Sequence, residues 1–326
     1  MPLFEYGMRH ALASNFPISD AVIARRSSRR IDANNCDERI IRILETPAPA
    51  AIGRLGGTEG RYLGNLIKVY GTTRQVGALH RKFAKFDLGK RRSEVNSYSG
   101  FFFLDHSEEL KFLNLYIDSL RNLDVLGTWG DAFTWAESIA LEKSTIEVVP
   151  LAAISPWVES FPYLDTSHSK TPWTRILDGM KVLVVSPFAN SISAQHSKLE
   201  SCFKGIEYPR FKLTTIRAPM TFNFVANSQN NWFTNLENLI AQVKQVEFDV
   251  ALVGAGAYSL PLVSAIKDIG KKAIHAGGGT QIFFGVMGNR WNNAPYVQKY
   301  VNDNWIKPSE LEIPSSAEKI ENACYW

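Results

Sequence analysis

Cysteine is scarce in this sequence. The three cysteines, Cys36, Cys202 and Cys324, lie far apart, and no two of them form a C-x-x-C pair. An odd number of dispersed cysteines argues against a disulfide framework and lacks the spacing of a zinc site. We therefore expect three free thiols.

Long apolar runs are missing as well. No run reaches the roughly 18 residues that a membrane-spanning helix requires. The first residues, MPLFEYGMRHALAS, lack the charged-then-apolar order of a secretory signal. With 45% hydrophobic and 21% charged residues, the composition is that of an ordinary globular protein. We expect the protein to work in the cytoplasm.

Neither sign of charge is in large excess, because the net charge is only +4. The cations are nevertheless clustered. Such clusters can contact nucleic acid, anionic lipid headgroups or a phosphorylated substrate, and a solvated helix face is the simpler alternative. The two clusters are Arg25, Arg26, Arg29 and Arg30, and Lys82, Lys85, Lys90, Arg91 and Arg92.

The most informative stretch covers residues 248–291. A run of small and β-branched apolar residues ends at the glycine turn 254–256, an amphipathic helix follows, and a second short strand runs into the glycine-rich turn 277–280. This order is typical of a parallel α/β unit, in which both turns lie at the carboxyl edge of the sheet. Ligands of open α/β sheets bind at that edge.

The same stretch argues against a dinucleotide cofactor. The fingerprint requires a third glycine, where this chain has Ser259, and an acidic residue at the end of the next strand, which here reads Ile274-His275-Ala276. An oxidoreductase is therefore disfavoured. What remains is a set of backbone N–H groups at a helix start, which suit a phosphate, or else glycines that merely permit a tight turn.

Further apolar runs complete the predicted fold. We expect an α/β protein with a single Rossmann-like, doubly wound, mostly parallel sheet. The N-terminal arm and helix would cover residues 1–46, the sheet domain 47–291 with a helical insertion at about 74–122, and a C-terminal tail packed on the domain 292–326. The remaining strands are predicted at residues 50–55, 123–126, 146–149, 180–185 and 210–216.

Arg54 and Glu59 flank the glycine turn that follows the first predicted strand, in AIGRLGGTEG. Glu59 either only complements the helix dipole or acts as a base or a metal-binding oxygen, with Arg54 as a fixed cation for a phosphate. Trp129 and Asp131 occupy another glycine-flanked turn. They would contact a sugar or base, unless the tryptophan packs into the core.

With these turns laid out, the sequence resembles the bacterial glycosyltransferases of the GT-D type. The resemblance rests on AIGRLGGTEG, on KVLVVSPFANSI, on the block over residues 249–291 and on the aromatic C-terminus. It implies a Rossmann-like single-domain fold and the transfer of a hexose from a nucleotide diphosphate sugar to a surface polysaccharide or glycoprotein glycan. If the base acts directly on the acceptor hydroxyl, the anomeric centre is inverted.

In the better-known branch of that family the first unit reads R-F-G-D-G-E, and its acidic residues hold a divalent metal. Arg54, Gly56 and Glu59 match this pattern, whereas Gly57 stands in place of the aspartate and Thr58 in place of the glycine. Two alternatives follow. Glu59 binds Mn²⁺ or Mg²⁺ together with another carboxylate such as Asp131, or Arg54 and helix N-termini neutralise the diphosphate without a metal.

The resemblance implies a nucleotide sugar and a glycan acceptor as partners, and no nucleic acid. A lipid-linked acceptor would bring the protein to the inner face of the membrane. Glu59 and Asp131 are the candidate bases. A non-catalytic nucleotide-binding or phosphosugar-binding protein of polysaccharide assembly is the alternative. The expected donor contacts are Arg54, Gly56, Gly57, Thr58, Trp129, Ser186, Asn190, Ser191, Gly254, Gly256, Tyr258, Gly277, Gly278, Gly279, Thr280, Gln281 and Arg290.

Overall fold

A computed structural model of the 326-residue chain describes residues 29–32, 35–70, 78–128, 137, 141, 145–156, 172–203, 207–224, 231–315, 317–320 and 322–326. Its central feature is one sheet whose strands are all parallel, in the order β3-β2-β1-β7-β6-β4-β5. The α/β fold predicted from the sequence is confirmed. The strands are β1 Ala50–Arg54, β2 Val125–Thr128, β3 Glu147–Pro150, β4 Lys181–Ser186, β5 Lys212–Arg217, β6 Val250–Val253 and β7 Lys272–His275.

Helices cover both faces of the sheet. Successive side chains of a strand point to opposite faces, and the core accordingly divides in two. Ala51 and Ala251 belong to one buried cluster, and their neighbours Ile52 and Leu252 belong to the other. The α-helices whose bounds lie within the described residues are α1 Cys36–Glu45, α2 Gly57–Tyr70, α3 Ala78–Ser99, α4 His106–Arg121, α5 Ala189–Gln195, α6 Leu199–Cys202, α7 Trp232–Lys244, α8 Ser259–Asp268, α9 Gly279–Phe283 and α10 Pro295–Gln298.

The strand order explains where a crevice forms. From β4 the chain continues outward to β5, whereas from β6 it continues in the opposite direction to β7. Neighbouring strands whose connections diverge leave an opening at their carboxyl ends, and ligands of open α/β sheets bind there. The turns after β4 and β6 border this opening.

One predicted strand is displaced. The expected range was 123–126, whereas β2 is Val125–Thr128. Leu123 instead lies just after the end of α4, where its N–H donates to the carbonyl of Leu120. Gly127 pairs with both Arg54 and Val149 instead of lying in a turn.

A buried charge network joins the helices between β1 and β2. Glu109 of α4 is fully buried and accepts hydrogen bonds from Tyr62 Oη of α2 at 2.5 Å and from Arg92 Nε of α3 at 2.8 Å. Burial raises the pKa of Glu109, but the hydrogen bonds from Arg92, Tyr62 and His106 outweigh it and hold that pKa below its ordinary value. Glu109 therefore stays ionised and fixes three helices to one another.

None of the three cysteines forms a disulfide, as predicted, and all three are buried. Among the described residues, no helix combines the length and the apolar character needed to cross a bilayer.

Candidate functional site

A cavity of about 310 Å³ lies at the carboxyl edge of the sheet. The ends of β1, β4, β6 and β7 border it together with the first turn of α2, the end of α3 and the aromatic residues 325 and 326. The structure thus brings together many of the residues that the sequence singled out. These are Arg54, Gly56, Gly57, Thr58, Glu59, Ser186, Gly254, Gly256, Gly277, Gly278, Gln281 and Arg290.

Arg54, the last residue of β1, places a guanidinium group in this cavity. Its Nε is buried and has no hydrogen-bond partner among the described residues. Burial lowers the pKa of Arg54. A buried donor without a partner is costly, and an anionic ligand would supply the missing acceptor.

Gly277 makes room for that guanidinium. It has φ +57°, and a Cβ at this position would lie 2.0 Å from Arg54 Nη2. The glycine is therefore required both by the backbone conformation and by the neighbouring cation.

Glu59 lies in the first turn of α2 and is only 7% exposed. Its carboxylate folds back over Gly56, where a Cβ would lie 2.2 Å from Oε2. Burial raises the pKa of Glu59, and hydrogen bonds from its own N–H and the Ser99 hydroxyl, with the charges of Arg54 and Arg61, offset only part of that rise. A carboxylate with increased proton affinity suits general-base work.

His275 also lines the cavity, and sequence reasoning missed it. Its Nδ1 lies 3.0 Å from the carbonyl oxygen of Arg54. Because a carbonyl only accepts, Nδ1 of the histidine ring carries a proton. Burial and then the Arg54 charge lower its pKa to about 3. The position at the end of β7, just before the glycine turn, was the available signal.

The glycine turns supply fewer backbone donors than predicted. The N–H groups of Gly254 and Gly277 bond to the carbonyls of Val185 at 2.9 Å and Val253 at 3.1 Å. These two amides are thus used within the sheet and are not available as ligand donors, while both glycines still line the cavity. A Cβ at Gly254 would lie 2.6 Å from the carbonyl oxygen of Gly277, so Gly254 allows the two turns to approach each other.

Ser259 has a related effect. It occupies the place of the third glycine of a dinucleotide fingerprint, and its Oγ accepts the N–H of Ala255 at 2.8 Å. That N–H is therefore also used within the turn.

Asn190 and Ser191 do not line the cavity. Their backbone N–H groups, at the start of α5, donate to the carboxylate of Glu312, which is fully buried. The predicted ligand site at this helix start is instead occupied by a side chain from far along the sequence.

Three more predicted donor contacts do not line the cavity, namely Tyr258, Gly279 and Thr280. Tyr258 stacks on Trp232 with ring centroids 4.8 Å apart, and its hydroxyl lies 3.1 Å from Thr221 Oγ1. Gly279 packs against Ser155, and Thr280 is fully buried. Trp129 and Asp131 lie outside the described residues, and their predicted roles remain predictions.

Aromatic side chains form much of the remaining wall. Arg290 Nη1 donates to Tyr325 Oη at 3.0 Å, and its guanidinium lies 4.5 Å from the centroid of that ring. Gln281 Nε2 donates to the carbonyl of Tyr325 at 2.8 Å, while its buried Oε1 has no partner among the described residues. The other aromatic lining residues, which were not predicted as donor contacts from the sequence, are Tyr98, Phe188, Phe222 and Trp326.

A divalent metal finds little support in the described lining. Glu59 is the single carboxylate there, and the Arg54 and Arg61 cations act on it. Mg²⁺ and similar ions prefer several oxygen ligands, so this donor set by itself does not make such a site. Asp131, the second carboxylate expected, lies outside the described residues.

Clusters of three or more His, Cys, Asp and Glu side chains that could hold a metal ion are also absent from the described part of the chain. A scan against protein-family models, a search of curated proteins and a search of solved structures find no match to this chain.

Proposed function

We propose that this protein is a nucleotide-sugar-dependent glycosyltransferase of the hexosyltransferase type. It would move a sugar from a nucleotide diphosphate sugar to a cell-surface polysaccharide or glycan acceptor. The observation that carries the proposal is the juxtaposition in one cavity of a buried, unpartnered arginine donor on Arg54 and a buried carboxylate of raised pKa on Glu59.

Arg54 would stabilise the leaving group. As the bond between the anomeric carbon and the diphosphate breaks, negative charge develops on the diphosphate oxygens. The cation of Arg54 is already fixed in a site shielded from water, where an ionic hydrogen bond is stronger than in bulk solvent. Arg290, at the exposed side of the cavity, would add a second cation.

Glu59 would act as the base. It would take the proton of the acceptor hydroxyl while that oxygen forms its bond to the anomeric carbon, and the nucleoside diphosphate leaves with the bonding electrons. Direct attack of this kind inverts the anomeric centre. The raised pKa of Glu59 makes it a stronger proton acceptor than an exposed carboxylate.

Tyr98, Phe222 and Tyr325 offer aromatic surfaces for a base or sugar ring, and Gln281 Oε1 offers an acceptor for a ligand N–H or O–H. Trp129 and Asp131 keep their proposed roles in binding and as the second candidate base. The reaction would take place in the cytoplasm, and at the inner membrane face if the acceptor is lipid-linked.

The test is release of nucleoside diphosphate from a panel of nucleotide sugars, each with EDTA and with Mn²⁺. We expect release with at least one donor. Activity in EDTA supports neutralisation by arginine, and strict Mn²⁺ dependence supports a metal held by Glu59 with a further ligand. Tight nucleotide binding without release from any donor would favour the non-catalytic binding protein instead.

A further inference from the structure

Helix α3 exposes two phenylalanines to solvent. Phe83 is 46% exposed and Phe86 is 78% exposed. On the opposite side of the helix, Ala84, Leu88 and Val95 are buried. The helix is therefore fixed in the fold by one face and presents large apolar side chains on the other.

Lysines surround these phenylalanines. Lys82, Lys85 and Lys90 are exposed, and at 3.6 residues per turn they share an arc of about 160° with the two phenylalanines. We call this set, Lys82, Phe83, Lys85, Phe86 and Lys90, the outer face of α3.

The charge of the outer face is not cancelled by the acids of the same helix. Asp87 and Glu94 each bond to Arg91 at 2.7 Å. Arg92 turns inward to Glu109. Glu94 also lies 3.8 Å from Lys90, whose side chain remains 60% exposed. The outer face thus combines exposed aromatic rings with positive charge.

We propose that the outer face of α3 is a docking surface for an anionic lipid bilayer. Phe83 and Phe86 would enter the boundary between headgroups and acyl chains, and the three lysines would contact lipid phosphates. A surface helix that combines aromatic residues with lysines is typical of interfacial binding.

Two features favour a bilayer over nucleic acid. All three cations of the outer face are lysines, whereas nucleic-acid recognition favours the planar fork of arginine. The phenylalanines also stand on a convex helix face, whereas single strands are bound in a charged groove that follows the backbone.

The position of α3 connects this surface with the cavity. Its last residues, Tyr98 and Ser99, line the cavity, and Tyr98 lies about 18 Å along the helix axis from Phe86 at 1.5 Å per residue. Docking of the outer face on a bilayer would bring the cavity close to a lipid-linked acceptor. This link to the acceptor rests on the proposed function, whereas the docking itself does not.

The experiment is co-sedimentation of the full chain with phosphatidylcholine vesicles, with and without phosphatidylglycerol. We expect binding only to the anionic vesicles, weakened by added salt. The triple variant K82Q/K85Q/K90Q should bind roughly 100-fold more weakly, because each lysine near an anionic surface contributes about 1 kcal/mol. The double variant F83S/F86S should bind at least about tenfold more weakly.

The chain offers matched controls. Leu311 and Ile313 are 77% and 42% exposed, close to the values of Phe86 and Phe83, and L311S/I313S should leave vesicle binding unchanged. Three further exposed lysines lie outside α3, namely Lys181, Lys212 and Lys244. The variant K181Q/K212Q/K244Q should weaken vesicle binding much less than the triple variant on α3 does.

The proposal is overturned if wild type does not sediment with anionic vesicles, or if the outer-face variants and their controls lose binding equally. It is also overturned if a single-stranded oligonucleotide, and not the vesicles, binds in a manner that depends on the outer face. Nucleoside diphosphate release is measured separately without vesicles, so failure of the docking surface is distinguishable from failure of the proposed reaction.

Discussion

At the scale of single residues, the position of the Arg54 cation depends on a neighbour without a side chain. The variant G277A adds a Cβ that would lie 2.0 Å from Arg54 Nη2, at a residue with φ +57°. We expect it to displace the guanidinium and weaken nucleoside diphosphate binding by roughly tenfold or more, since a hydrogen bond to a charged group contributes about 1.5–3 kcal/mol. Isothermal titration calorimetry measures the change.

Gly179 provides the control. Its φ is +76°, and no heavy atom lies within 4 Å of a Cβ built there. G179A therefore has a similar backbone strain of about 1 kcal/mol but moves no cation. It should lower the melting temperature and leave nucleotide affinity intact. Equal losses of affinity in both variants would contradict the role assigned to Gly277.

Glu59 gives a prediction in which stability and activity change in opposite directions. Burial raises its pKa above the ordinary 4.5, so the folded protein binds this proton more tightly than the unfolded chain does. The resulting stabilisation is complete below the ordinary pKa and is lost as pH rises through the raised value. At neutral pH, Glu59→Gln should therefore raise the free energy of unfolding, with the gain over wild type fading toward acid pH.

The same variant should lower turnover by roughly 10²–10⁴-fold, because it removes the general base. Urea unfolding over a pH series and the nucleoside diphosphate release assay measure the two effects. A variant that gains stability but keeps wild-type turnover would remove Glu59 from the proposed mechanism. A variant that loses stability at neutral pH would contradict the raised pKa.

At the scale of the elements, the network around Glu109 should respond to pH in the opposite sense. Its pKa lies below the ordinary 4.5, so its stabilisation is present above that value and is lost as pH falls through the depressed pKa. Glu109→Gln should lower the free energy of unfolding at neutral pH by roughly 3 kcal/mol, the cost of removing one partner of a buried pair. Breaking a buried pair costs about 3–5 kcal/mol, and we expect the low end of that range because the Arg92 side chain is 39% exposed.

Asp118 on the same helix serves for comparison. Its side chain is 76% exposed and lies 3.8 Å from Arg121. Asp118→Asn should change the free energy of unfolding by less than about 0.5 kcal/mol. If both variants unfold at the same urea concentration as wild type, the network does not join α2, α3 and α4 as described.

The elements themselves were largely predictable from the sequence. Buried parallel strands are recognisable as short apolar runs, and every predicted strand has its counterpart within a few residues. The position of β2 was less accurate, because Gly127 reads as a turn residue until the partner strands that flank it are known.

The site was predictable only in part, for a different reason. Arg54 and Glu59 follow a strand directly, so local order places them at the carboxyl edge. Asn190 and Ser191 also follow a strand, but their N–H groups donate to the Glu312 carboxylate. No local sequence pattern predicts this contact, because Glu312 lies 121 residues away from Ser191. The same holds for Tyr98, which reaches the cavity only because α3 packs against α2.

At the scale of the whole molecule, the cavity is formed by parts that are remote in sequence. Arg54 comes from β1, Ser186 from β4 and Gly254 from the turn after β6, while Tyr325 reaches the cavity from the other end of the chain. These parts adjoin both buried clusters of the core. A ligand that contacts all of them should therefore stabilise the folded chain as a unit.

This stabilisation can be tested by thermal unfolding with nucleoside diphosphate. A ligand at 100 times its dissociation constant stabilises the folded state by about 2.7 kcal/mol, which corresponds to an increase of roughly 4 °C in melting temperature for a chain of 326 residues. We expect such an increase for wild type and none for Arg54→Ala, because Arg54 holds the buried donor.

Lys68→Ala, a change of a cation that does not line the cavity, should retain the ligand-induced increase. Repeating the scans in EDTA decides the role of a metal: an unchanged increase supports neutralisation of the diphosphate by Arg54, whereas its disappearance shows that binding requires a divalent metal. An increase that persists in Arg54→Ala would contradict the proposal that Arg54 binds the diphosphate, since the ligand would then bind without that cation.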